Sequence, residues 1–130
     1  METKNPKVFV SHASEDKERF VINFAKKLRE KGVDAWVDKW EMKLGDSLVD
    51  KIFEEGIKSC DTFIIILSKF SVTKPWVREE LDSAIVKRIE EKTRLIPIVI
   101  DEGIDIPQCI KHLLRKPISD LLSSMRKCNA

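Results

Sequence analysis

Apolar residues recur along the chain with two different periods, and the periods alternate. Lys7–Ser11 (KVFVS) is short, β-branched and closed by the turn formers His12–Ser14, which predicts a buried strand. Ser14 then stands where an N-cap is expected, with Glu15 and Asp16 in the first turn, where a helix dipole favours acids. Phe20, Val21, Phe24, Ala25 and Leu28 follow at helical spacing, and Lys31-Gly32 supplies the stop. A strand over Val33–Val37 comes next, so the opening is a βαβ unit, which crosses over right-handed into a parallel sheet.

The stretch Asp38–Asp46 (DKWEMKLGD) has neither period and is expected to be a loop. Ser47 with Asp50 three residues on resembles a capping box that opens a helix over about Leu48–Lys58. Thr62–Leu67 (TFIIIL) is apolar without alternation, as in a central parallel strand covered on both faces. Ser68–Lys74 reads as loop, and Pro75 fits the first turn of one helix running to about Glu91, with Val77, Leu81, Ala84, Ile85 and Ile89 as its core stripe. Leu95–Ile100 is a fourth strand despite Pro97, which is tolerated where its missing donor is unneeded. A short helix over Pro107–Leu114, a brief strand near Ile118 and a frayed or truncated final helix complete the reading. Five strands alternating with helices predict an open, doubly wound α/β domain, in which ligands bind outside the carboxyl ends of the strands where the strand order reverses. At 130 residues the chain is expected to hold a single domain, with a core over about residues 7–120.

Composition removes several classes of function. Lys and Arg number 24 against 22 Asp and Glu, so the charge is nearly balanced, and a direct nucleic-acid role is not expected. No apolar run reaches the ~18 residues of a membrane span, and the start METKNPK lacks a signal-like apolar stretch. A cytoplasmic protein away from the membrane is the expectation. Cys60, Cys109 and Cys128 are widely spaced and odd in number, which fits reduced thiols rather than a disulfide framework. His12 and His112 sit at no metal-ligand spacing, so no metal site is expected. There is no G-x-G-x-x-G after a strand, no P-loop and no G-x-S-x-G elbow. A receiver-type phosphoacceptor is disfavoured because no acid precedes Glu15 at the first strand's end.

Three features stand apart from packing. Trp76 and Glu80 are four residues apart, so a helix over both would put an aromatic plane and a carboxylate on one face; Trp76 as a plain core anchor and Glu80 as one surface acid among many is the competing reading. Trp40 and Met42 lie among Lys39, Glu41 and Lys43 on the long loop, which marks either a contact surface or a segment tucked against the sheet. Ser11, His12 and Ala13 close the first strand, where substrate contacts would lie.

These residues carry a resemblance. VFVSHASED, AWVDKWEMKLGDSL and IIILSKFSVTKPWVREELDSAI, in that order, resemble prokaryotic Toll/interleukin-1 receptor (TIR) domains: their first box, their BB loop ending in Gly-Asp-Ser, and their W-x-x-x-E motif. The likeness spans about Lys7–Asp120, making the whole chain a single TIR domain. It implies a flavodoxin-like three-layer fold with a five-stranded parallel sheet in the order 2-1-3-4-5 and helices on both faces. It implies cleavage of NAD+, as substrate and with no cofactor, at the nicotinamide–ribose bond, giving ADP-ribose or a cyclic variant. By match of motif Glu80 is the catalytic glutamate and Trp76 the motif tryptophan, with Ser11, His12, Ala13, Trp40 and Met42 as further substrate contacts. The partners implied are other TIR domains, met through Lys39, Trp40, Glu41, Met42 and Lys43, and the setting is immune or antiviral-type signalling. The alternative is a non-catalytic TIR scaffold that mediates homotypic association alone.

Overall fold

The computed structural model describes residues 6–55 and 60–114. Five parallel strands are described: β1 (Lys7–Ala13), β2 (Asp34–Trp36), β3 (Glu41–Met42), β4 (Thr62–Leu67) and β5 (Arg94–Val99). The sheet runs β2-β1-β4-β5, and β3 pairs with the end of β1. This is a flavodoxin-like α/β architecture, with β1 at the centre and the order reversing between β1 and β4. Val8 faces Ala35 on one side and Thr62 on the other, while Ile64 lies opposite Ile96. The two-residue β3 was not expected. It lies inside the segment read as loop, where His12 pairs with Glu41 and Ala13 with Met42. The strand expected near Ile118, the end of the helix expected to Lys58 and the frayed tail fall outside the described residues.

Side-chain alternation on the sheet builds two cores. Val8, Val10, Ile64, Ile66, Ile96 and Ile98 face α1 (Ile22–Glu30), packing on Phe24, Ala25 and Leu28. Phe9, Phe63, Ile65, Leu67 and Leu95 face the other way, onto Leu48 and Ile52 of α2 (Leu48–Glu55), α3 (Pro75–Arg78) and α4 (Ser83–Lys92). All six residues of β4 are buried. Its unbroken apolar run is therefore explained by cover on both faces, each Ile contributing about 1.5–3 kcal/mol of burial.

Helix ends obey local chemistry. Gly32, at φ 86°, closes α1: its N–H donates to Arg29 O and the N–H of Val33 donates to Leu28 O, a Schellman pair. The start of this region differs from expectation. Ser14 is not a cap; Ala13 flanks a tight 3-10 turn over Ser14–Asp16, followed by a wider turn over Lys17–Val21 before α1 proper. The single helix expected over Pro75–Glu91 is two. α3 ends after one turn, and Asp82 caps α4 by accepting from the N–H of Ile85 at 2.9 Å. The buried stripe accordingly runs Val77, Leu81, Val86 and Ile89, with Ile85 half-buried and Ala84 exposed.

Candidate active site

A cleft of about 260 Å³ opens beyond the carboxyl ends of β1, β3 and β4. Its walls are Ser14 and Glu15 after β1, Met42 with the segment 43–47 after β3, and Lys74, Pro75, Trp76 and Glu80 after β4. Open α/β sheets place ligands at such a crevice because loops from neighbouring strands diverge where the order reverses. A second cleft of about 380 Å³ lies on the far side of Leu81 and Asp82, lined also by Arg78, Asp105 and Cys109, and contains neither Trp76 nor Glu80.

Trp76 and Glu80 meet in the first cleft by a route other than a shared helical face. Pro75 starts α3 with its φ preset, and the buried Trp76 and Val77 hold that turn on the core. Glu80 lies beyond the helix end, its N–H donating to Pro75 O at 3.2 Å. Its side chain is half-buried and tied to another element: Oε1 accepts from the hydroxyl of Ser47 at 2.6 Å and from the N–H of Val49 at 3.0 Å. Ser47 in turn caps α2, its Oγ accepting from the N–H of Asp50 at 3.2 Å. A carboxylate is thus set against the positive end of α2.

Trp76 is 2% exposed, and its indole N–H has no described partner. A buried donor without an acceptor is costly, so an acceptor brought by a ligand or by water would relieve it. Across the cleft, Lys74 bonds Glu15 at 2.7 Å, and that contact holds the Glu15 carboxyl below its ordinary range. Lys43 stands exposed on the wall.

The turn 43–46 is tightly made. Lys43 N–H donates to Asp46 Oδ2 at 2.8 Å, Asp46 N–H donates to Lys43 O at 3.0 Å, and Gly45 takes φ 88°, the left-handed value that the third position of a type II turn demands. Leu44 at its tip is 102% exposed.

Several expected contacts lie elsewhere. Trp40 is 1% exposed and stacks on Phe9 at 4.7 Å between ring centroids, with Phe63 edge-on at 5.1 Å; Met42 is buried beside it. The reading of Trp40 and Met42 as an exposed association surface is corrected: β3 ties the segment to the sheet edge and turns both inward. Met42 still lines the cleft, whereas Trp40 does not. Glu41 is half-buried; burial pulls its carboxyl upward, but hydrogen bonds from Lys17 and Ser14 hold it below the ordinary value. Lys39 is exposed, and its carbonyl accepts from Lys51 Nζ at 2.7 Å. Ser11, His12 and Ala13 are all fully buried and none lines the cleft, so they offer a substrate no surface in this conformation. Ser11 Oγ and His12 Nε2 have no described partner, and His12 Nδ1 lies 2.9 Å from Val10 O. Cleft residues missed from the sequence include Ser47, Leu44, Glu15 and Lys74. For Ser47 the signals were its place in the capping box and at the end of the Gly-Asp-Ser stretch.

Cys60 and Cys109 are thiols that donate to Thr93 Oγ1 at 3.8 Å and to Leu81 O at 3.5 Å, and burial pushes the Cys60 thiol up to about 11; Cys128 lies outside the described residues. Among the described residues, no group of three or more His, Cys, Asp or Glu side chains could hold a metal, and no helix is long and apolar enough to cross a membrane.

A flavodoxin-like sheet, a crevice at its switch point, and a W-x-x-x-E pair facing it together define a TIR domain. The family model for the TIR domain matches residues 8–124, and the chain belongs to that family. It is 41% identical over 91 residues to the "NAD(+) hydrolase TcpA" of Theionarchaea archaeon, covering 70% of this chain and 27% of that protein. It is 37% identical over 91 residues to the "2' cyclic ADP-D-ribose synthase AbTIR" of Acinetobacter baumannii, covering 70% and 34%. The chain thus matches about a third of the length of these relatives. Among solved structures, the TIR domain of the Toll-related receptor TRR-2 of Hydra magnipapillata superposes with a TM-score of 0.63 at 16% identity, covering 92% of this chain and 97% of that one. The TIR domains of the activated Roq1 resistosome superpose at 0.56 and 21% identity, covering 95% and 80%.

Proposed function

We propose that this TIR domain cleaves NAD+ at the nicotinamide–ribose bond. The carrying observation is the Glu80 carboxylate, held at one oxygen by Ser47 and Val49 in the cleft that Trp76 lines. Nicotinamide leaves NAD+ as a neutral pyridine from a cationic nitrogen, so the reaction needs no proton donor. The ribose becomes oxocarbenium-like, as in glycoside hydrolysis. Glu80 stabilises that cation electrostatically, more strongly in a cleft than in bulk water. Trp76, only 2% exposed, is a packed wall of the cleft that shapes the space a substrate ring can occupy rather than an open stacking face. Lys43 and Lys74 give the diphosphate cationic partners on the same walls. Capture of the cation by water yields ADP-ribose, and internal capture yields a cyclic isomer. The names of the relatives include both outcomes.

Activation by self-association in cytoplasmic, immune or antiviral-type signalling is part of the proposal. Its support is Leu44, a fully exposed leucine on a rigid turn that also walls the cleft, so a neighbouring domain that covers it touches the site. A scaffold without turnover is the rival reading, favoured by the fact that Glu80 already has a structural task at the start of α2. The test is nicotinamide release from NAD+ across a wide range of protein concentration. The enzyme reading expects release, with activity per molecule rising as the domain associates; no release at any concentration leaves the scaffold.

A further inference from the structure

The hydroxyl of Ser47 does two things with one oxygen. As an acceptor it caps α2 through the N–H of Asp50, and as a donor it binds Glu80 Oε1. A helix cap uses only the acceptor. The donor hydrogen is surplus to capping, and it is spent on the carboxylate 33 residues away, in a contact of 2.6 Å that is the shorter of the two.

Glu80 needs such a partner. α3 ends at Arg78, so no regular helix fixes the Glu80 side chain from its own segment. Both hydrogen bonds that orient it arrive from the start of α2, and both reach Oε1. Among the described residues Oε2 receives none. One oxygen is therefore anchored and the other kept as an acceptor. Ser47 also follows directly on the turn 43–46, whose Asp46 closes back onto Lys43. The turn, the cap and the carboxylate form one connected unit.

We propose that Ser47 is a positioning residue for Glu80: its hydroxyl hydrogen holds the carboxylate in the cleft with one oxygen free, and so links the 43–46 turn to the reacting group. This rests on the NAD+-cleavage reading. Capping and positioning make different demands. Ser47→Thr keeps acceptor and donor. Ser47→Asp keeps a good capping acceptor but donates nothing and sets a second negative charge beside Glu80. Ser47→Ala removes both functions.

Nicotinamide release from NAD+ is measured for wild type, these three variants, Glu80→Gln, and Ser47→Ala combined with Glu80→Gln, with far-UV circular dichroism on every sample. Displacing a catalytic group by about 1 Å costs up to ~10²-fold. Ser47→Asp and Ser47→Ala are expected to lose about ten- to a hundredfold in kcat with KM changed less than about threefold, and Ser47→Thr to stay within about threefold of wild type. In the Glu80→Gln background, Ser47→Ala is expected to add little further loss, because the group it positions has already lost its charge. Wild-type kcat in folded Ser47→Asp assigns Ser47 to capping alone and overturns the proposal, as does a gain of activity in Ser47→Ala or fully multiplicative losses in the double variant. If Ser47→Ala does not fold, Ser47→Asp and Ser47→Thr decide between the roles. Absence of release from wild type at every concentration overturns the NAD+ reading and the positioning role with it. Release that is lost in Glu80→Gln but retained in the Ser47 variants overturns only the positioning.

Discussion

Two helical regions of similar length look alike in sequence and fold differently. Residues 14–30 are helical throughout, although the first two turns are tighter and then wider than an α-helix. Residues 75–92 carry an equally good apolar stripe but break after one turn and restart at Ser83. The first region packs on one sheet face and closes with a Schellman turn. The second spends its break on function, because residues 79–82 leave the helix path where Glu80 reaches the start of α2. Periodicity is blind to such an interruption, which here shifts the buried position from the expected Ala84 and Ile85 to Val86.

The largest effect expected from that contrast comes from truncating one aromatic in each region. Trp76→Ala and Phe24→Ala each remove a buried ring and are expected to cost about 3–5 kcal/mol in urea unfolding. Only Trp76→Ala also removes a wall of the cleft. It is expected to raise KM for NAD+ as well as lower kcat, while Phe24→Ala leaves KM near wild type under conditions where it stays folded. Equal effects on KM would mean that Trp76 acts through stability alone.

A smaller effect sharpens the break itself. Asp82→Ala removes the side-chain cap of α4 and is expected to cost about 0.5–2 kcal/mol. The region 14–30 offers no equivalent, since no side chain caps its start. A loss below about 0.3 kcal/mol would show that α4 and the preceding turn behave as one continuous helix in solution.

The smallest expected effect is pH-dependent and arises at the end of β1, just ahead of the first region. His12 is buried at the end of β1, with Asp16, Lys17 and Glu41 nearby, and burial depresses its pKa below the ordinary 6.5 despite the Val10 carbonyl and Glu41. The unfolded chain then binds a proton that the folded one does not. Its stability contribution is complete above pH 6.5 and is lost as pH falls from there toward the lowered folded value. Melting temperature is expected to be flat above neutrality and to decline below it, a decline that His12→Gln flattens. An unchanged decline in that variant would place the titrating group elsewhere.

Much of the fold was legible because it is written locally. The unbroken apolar run of β4, the glycine stop at Gly32 and the Pro75 start each have a mechanism within a few residues. What escaped was non-local or too short to have a period. β3 has two residues and exists because β1 extends to meet it. Among its charged neighbours Trp40 could be read as a contact residue or as one tucked against the sheet, and it is buried because Phe9 and Phe63 receive it. The pairing of Trp76 with Glu80 was legible as spacing, but the expected reason, a common helical face, was not the one that brings them together. The Ser47–Glu80 contact joins segments 33 residues apart and had no local signature. Asp82-Ser83 was the one readable sign of the break, since an aspartate ahead of a periodic stretch is an N-cap signal.

The most direct measurement is the turnover number for nicotinamide release by folded Glu80→Gln beside wild type, at matched protein concentration and saturating NAD+. Glutamine keeps the shape and an acceptor oxygen for Ser47 and Val49, so the fold is expected to persist while the charge is lost. Losing one oriented electrostatic contact in a transition state costs ~3–4 kcal/mol, so turnover is expected to fall a few-hundredfold. KM should change far less, because the ribosyl cation exists only in the transition state. A folded Glu80→Gln that releases nicotinamide at the wild-type rate would contradict the account and leave Glu80 as no more than the tether of α2.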